Sequence, residues 1–184
     1  MLTDAFVTAV TGTLTVMERD VNSDGWDATP YLWGMFQNHR DRSLDFDALS
    51  LPPSVWTRMA AAAGTAVPNW VTVDFIARHL SGDGIAFLHR WLGRAAGREM
   101  RSCVGFVYCG EDLDTQRTRD PDVPAATPDG IAVRALIARD IDGRTYQIIR
   151  DRATPDRTVT TVDLRPATSA IPASLDRLIA AAQR

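Results

Sequence analysis

Four arginines, Arg90, Arg94, Arg98 and Arg101, recur at intervals of four, four and three, which puts their guanidinium groups on one stripe if a single helix carries them. Such a ridge takes anions: a phosphate, an acidic tail or a nucleic-acid backbone. The plainer alternative is a solvated face offset by Glu99 and by the acidic run Glu111, Asp112 and Asp114. Cys103 or Cys109 with His79 or His89 would supply the thiol and base of a small hydrolase, although pairs this far apart in sequence arise in almost any chain. Asp24 and Asp27 lie close enough to share a metal ion but have no third ligand, and His39, His79 and His89 lack the short spacings of zinc sites. Ser81-Gly82-Asp83-Gly84 could aim backbone N–H groups at an anion, and a simple turn with Asp83 as N-cap explains it equally. No catalytic set is complete, so no catalytic residue, metal or cofactor is assigned. A protein without catalysis is the expectation.

Composition narrows the chemistry further. The 184 residues, 45% hydrophobic and 23% charged, suit a single domain with its own core. All 20 cationic side chains are arginine. Without lysine there is no Schiff base and no P-loop lysine, which excludes pyridoxal-phosphate enzymes and Walker-type nucleotide hydrolases. A net charge of -3 gives no long-range pull toward nucleic acid or anionic lipid. No stretch approaches a membrane span, and the N-terminal residues lack the basic segment and apolar core of a secretory signal. Cys103 and Cys109, if carried by one extended strand, stand roughly 20 Å apart at about 3.3 Å per residue, too far for a disulfide. Reduced thiols point to the cytoplasm.

The elements that must position these residues follow from hydrophobic periodicity. Phe6, Val7, Val10, Leu14 and Met17 predict an amphipathic helix over 3–20 with Thr3 as N-cap and Glu18, Arg19 and Asp20 as a polar exit. Asn22-Ser23-Asp24-Gly25 is turn chemistry, and the aromatic run from Tyr31 to Phe36 is a strand. Leu44, Phe46 and Leu49 allow a short irregular strand or a packed loop. Pro52-Pro53-Ser54 opens a helix through Val55, Trp56, Met59 and the alanine run 60–63. A helical hairpin spans 70–96, broken at 81–84. Strands follow at Arg101–Cys109, Ile131–Asp140, Thr145–Arg150 and Val159–Leu164, with Asp142-Gly143 as a hairpin turn. Between the first two, 111–130 is acidic and then proline-rich, which predicts a long mobile loop. An amphipathic helix from Pro172 ends the chain, its Leu175, Leu178 and Ile179 toward the sheet. The expected fold class is α+β, a mostly antiparallel sheet of four to five strands packed against N-terminal, central and C-terminal helices.

Gly25-Trp26-Asp27-Ala28-Thr29-Pro30-Tyr31-Leu32 and the later Leu51-Pro52-Pro53-Ser54-Val55-Trp56 resemble the WD-x-P-P-x-L opening of a group of uncharacterised actinobacterial proteins. Val133-Arg134-Ala135, Arg139-Asp140, Asp142-Gly143-Arg144-Thr145-Tyr146 and Ser174-Leu175-Asp176-Arg177-Leu178 are similar to that group's C-terminal signature. The resemblance covers about two thirds of the chain and implies kinship without a biochemical function. This chain departs from the pattern with Thr29 in place of the first proline and with the 70–96 hairpin, which reads as a possible insertion. Gly25, Asp27, Pro30, Arg134, Gly143 and Tyr146 are the structural positions of the motifs.

Trp26 can simply cover the end of the first helix while Asp27 makes an Asx-type turn. Alternatively Trp26, Tyr31 and Trp33 form an exposed aromatic anchor. The leading expectation is a cytoplasmic protein-interaction module that binds an unknown protein partner or self-associates as a homodimer. It would do so through a sheet edge at Arg144–Arg150 or Val159–Leu164, or through the 111–130 loop. The alternative is an anion-binding or nucleic-acid-binding protein built on Arg90, Arg94, Arg98 and Arg101. Nucleic acid is disfavoured because Phe87, Leu88, Trp91 and Leu92 make the second helix of the hairpin too apolar to read DNA.

Overall fold

The computed structural model describes residues 3–27, 29–51, 57, 61, 69–97, 100–114, 131–163 and 170–184. Within them the order is α1 (Asp4–Ser23), β1 (Tyr31–Asn38), β2 (Leu44–Ala48), α2 (Asn69–Ser81), α3 (Ile85–Ala96), β3 (Arg101–Asp114), β4 (Ile131–Asp140), β5 (Thr145–Asp151), β6 (Thr158–Asp163) and α4 (Ala170–Ala182). The fold is α+β. Six strands form one antiparallel sheet in the order β2-β1-β3-β4-β5-β6, not the four to five expected. The extra strand is β2, whose residues pair in regular register from Trp33 with Ala48 to Gln37 with Leu44. Its short span and weak alternation hid a ladder that β1 supplies. Of the helix expected from Pro52 to Ala63, all but Thr57 and Ala61 lie outside the described residues.

Helix α1 starts where expected because Thr3 accepts from the Phe6 N–H at 3.2 Å, but it runs past the expected end at 20 and takes in Asn22 and Ser23, which had read as turn. Its threonines cost little, since Thr8, Thr11 and Thr15 each donate to the carbonyl four residues earlier. Phe6, Val10 and Leu14 pack on one face of the sheet against Met35, Val107, Leu136 and Ile148. The opposite face is covered by α2, α3 and α4, where Val73, Ile76, Leu88, Trp91, Leu175 and Leu178 join Phe36, Phe106 and Tyr108. The 70–96 hairpin is therefore packed into the main core. Gly34 permits this, because a Cβ there would stand 2.5 Å from the Trp91 ring.

Strand β3 continues to Asp114, with Glu111 opposite Arg134 and Asp114 opposite Ile131, so the first four residues of the expected 111–130 loop are strand. The rest of that loop, 115–130, lies outside the described residues. A bulge at Met35/Phe36 shifts the β1–β3 register. No helix among the described residues is long and apolar enough to cross a membrane.

One charged pair ties α1 to the sheet. Glu18, read from sequence as part of a polar exit, is 1% exposed and takes two hydrogen bonds from Arg150 of β5, at 2.6 and 2.5 Å. A buried bidentate pair is costly to break because the remaining charge has no partner. Glu18→Gln should therefore lower stability by about 3–5 kcal/mol at nearly unchanged volume. Urea unfolding checks this, and an unchanged midpoint would mean that water already reaches the pair.

Candidate interaction surface

The Trp26 turn is built by backbone geometry that few residues adopt. Gly25 (φ 86°) and Asp27 (φ 68°) are both left-handed, which reverses the chain directly after α1. The Asp27 N–H donates to Glu111 Oε2 at 2.8 Å, and the same carboxylate accepts from Arg134 at 2.8 Å. Arg134, 1% exposed on β4, also donates to the Gly25 carbonyl and to Asn22 Oδ1. Its guanidinium lies 4.6 Å from the centre of the Trp26 ring, and Arg152 lies 5.4 Å from it while gripping Asp27 with two bonds at 3.2 and 3.1 Å. Trp26 is thus half-buried and engaged by two arginines, each such contact contributing about 0.5–2 kcal/mol. The turn acts as a fastening between α1, β3, β4 and the β5–β6 connection.

Tyr31 and Trp33 stack at 5.2 Å with 20° between their planes; Tyr31 is exposed and Trp33 is half-buried beside the α1 side of the core. Pro30, half-buried, leads into this strand. Gly143 (φ 80°) closes the β4–β5 turn, which Asp140 organises by accepting from the Asp142 and Arg144 N–H groups and from the Tyr146 hydroxyl at 2.8 Å. Burial and that bond to Asp140 push the Tyr146 phenol above its ordinary range. Arg139 then links the turn to α4 through two bonds to Asp176.

The four-arginine stripe is divided by the fold. Arg90 and Arg94 are exposed on α3, which ends at Ala96 with Gly97 as its cap, and Arg98 lies outside the described residues. Arg101 begins β3, after a left-handed Met100 (φ 51°) redirects the chain. It donates to the Ala95 carbonyl at 3.0 Å, satisfying the end of α3, and meets Asp47 at 2.9 Å and Asp45 at 3.2 Å. Arg94 and Arg101 share an open groove of about 560 Å³ with Trp91 and Asp47, but the charge of Arg101 is already offset there. The α2–α3 turn likewise differs from expectation: Gly84 rather than Asp83 is the N-cap, without a side-chain cap bond.

The thiol and histidine candidates do not come together. Cys103 packs on the three-helix face and Cys109 on the α1 face of the same strand. His39 bonds Ser102 at 2.5 Å and His89 bonds the Ala181 carbonyl at 2.9 Å, and among the described residues no hydrogen bond joins either thiol to a histidine. Among the described residues no group of three His, Cys, Asp or Glu side chains is placed to hold a metal ion.

The two sheet edges are unlike each other. Strand β5, one of the two edges expected, is interior, paired with β4 on one side and β6 on the other. The true edges are β2 and β6. Strand β2 is five residues long and presents Asp45 and Asp47, both ion-paired with Arg101. Every residue of β6 is exposed, including Val159 at 47% and Val162 at 42%. Sequence reasoning had placed a strand here at Val159–Leu164; the observed β6 runs Thr158–Asp163, with exposed Arg157 just before it and exposed Asp163 as its last residue.

What these features define is an α+β protein with helices on both faces of an open antiparallel sheet. Comparison with protein-family models, with curated proteins and with solved structures finds no match, so function has to be argued from the geometry of this chain.

Burial pushes the Cys103 thiol up to about 11 and the Cys109 thiol up to about 12. The native protein at mildly alkaline pH should resist iodoacetamide at both thiols and label fully after denaturation; fast native labelling of either would contradict this. A raised folded pKa contributes stability that is present below the unfolded value near 9 and lost as pH climbs through 11 to 12, so unfolding titrations should weaken over that window.

Proposed function

We propose that this chain is a protein-interaction module that accepts a partner's strand along β6. The observation carrying the reading is that β6 is outermost, paired on one side, and exposed at all six residues. Monomeric sheets ordinarily blunt such an edge with lysine, proline, a bulge or a covering element. Here the strand contains neither proline nor glycine, the chain contains no lysine, and the β5–β6 register runs without a shift. A partner strand would bond the outward N–H and C=O groups, while Val159 on one face and Val162 on the other would select its side chains. The shorter β2 edge, bearing two carboxylates, suits this role less. Two free thiols, Cys109 buried and Cys103 half-buried, fit a reducing, cytoplasmic setting. An anion-binding role for the arginines is weaker, since Arg101 is committed to Asp45, Asp47 and the end of α3.

The test compares wild type with the double variant Val159→Lys/Val162→Lys, which charges both faces of the edge without touching the core. Association by the wild type should persist at high salt, slow amide exchange across 158–163, and fall about tenfold or more in the variant. Association that is equally strong in the variant, or that leaves those amides unprotected, would place the interface elsewhere.

A further inference from the structure

We infer that the strand accepted by β6 is the β6 of a second copy of this chain, paired antiparallel about a two-fold axis at Thr160. This rests on the reading of β6 as an interface strand and names its occupant. The run from Arg157 to Asp163 is self-complementary when reversed: Arg157 falls opposite Asp163, Thr158 opposite Val162, Val159 opposite Thr161, and Thr160 opposite itself. A two-fold contact requires this reciprocity, because residue i meets j exactly where j meets i. Opposite charges therefore meet at both ends of the paired segment and neutral β-branched side chains meet throughout its middle, a pattern that stabilises cross-strand pairs.

Shifting the register by two residues keeps side chains on their faces but removes both ion pairs. Shifting it by one also places valine faces against the wrong side. Charge thus selects a single register from those that hydrogen bonding alone would permit. The faces agree as well. Thr158, Thr160 and Val162 lie opposite Arg150, Ile148 and Tyr146 of β5, on the side that bears α1, whereas Val159 and Thr161 lie opposite Ile149 and Gln147 on the other. A two-fold axis normal to the sheet puts α1 of both copies on the same side and joins the two sheets into one. All residues from Arg157 to Asp163 are exposed in the single chain, so pairing needs no rearrangement of the core.

Thr160 is the sensitive position, since any charge placed there confronts its own copy across the axis. Sedimentation velocity over micromolar to submillimolar concentrations is read for wild type, Thr160→Lys, Thr160→Glu and an equimolar mixture of the two variants. Circular dichroism establishes that each is folded. The expected result is a wild-type dimer, about tenfold or greater weakening in each variant alone, and recovery in the mixture through Lys–Glu pairing at the axis. A wild-type dimer indifferent to both variants, or a mixture that fails to recover, overturns the β6 register. A wild type that stays monomeric overturns the second copy as occupant. In that case, loss of heterologous association in Val159→Lys/Val162→Lys keeps the interaction-strand reading, and its retention removes that reading too.

Discussion

Guanidinium groups buried on the sheet hold this fold together. Arg134 and Arg150 stand on adjacent strands on the side covered by α1, and each reaches the helix or the turn that follows it. Among the described residues a single helix, α1, covers that face, and apolar contact alone leaves its direction weakly specified. Arg150 fixes α1 near its C-terminal end through Glu18, while Arg134 fixes the exit turn through Asn22, Gly25 and the Trp26 ring. Each arginine uses several donors at once in a planar fork, which a lysine could not reproduce. The absence of lysine is thus compatible with, and in the interior well matched to, a design that relies on multidentate contacts.

The same economy appears on the other face. Arg139 secures the β4–β5 turn to α4, Arg177 and Ser174 of α4 meet Asp74 of α2, and Arg101 seals the end of α3 against β2. Burial works against ionisation of Asp74, but its bonds to Arg78 and Arg177 outweigh that and hold its carboxyl below the usual range. Of the arginines whose spacing suggested a ligand site, Arg101 is occupied in joining elements, whereas Arg90 and Arg94 stay exposed on α3.

Much of the fold was legible because it is written in periodicity. The Thr3 cap, the aromatic β1, the strands from Arg101 onward, the Asp142-Gly143 turn and the last helix all follow local rules. Strand β2 was legible only as one of two alternatives, a short strand or a packed loop, since five residues with intermediate burial on both faces give no clean alternation. Burial of Glu18 was illegible for another reason: its partner lies on β5, and nothing in the helix signals it. Trp26 posed the same difficulty, with Arg134 and Arg152 both distant in sequence. The four-arginine stripe failed where Gly97 and Met100 end the helical geometry. Strand order is also absent from pattern alone, so β5 and β6 looked equally suited to the edge; the hydroxyl-rich, weakly apolar β6 carried the better signal.

The bond network between β1 and β3 has a consequence for how the chain reaches its structure. Strands β1 and β2 close on each other across a short turn, and β4, β5 and β6 form a meander of near neighbours, but Tyr31 must find Cys109 across the whole α2–α3 region. Entropy makes such a distant closure slow relative to the local ones. The topology therefore divides assembly into two locally formed halves and one late docking along the centre of the sheet. Until that docking, the inner edges of both halves are open, and the α2–α3 hairpin, packed on β3 and β1 together, has only part of its final seat.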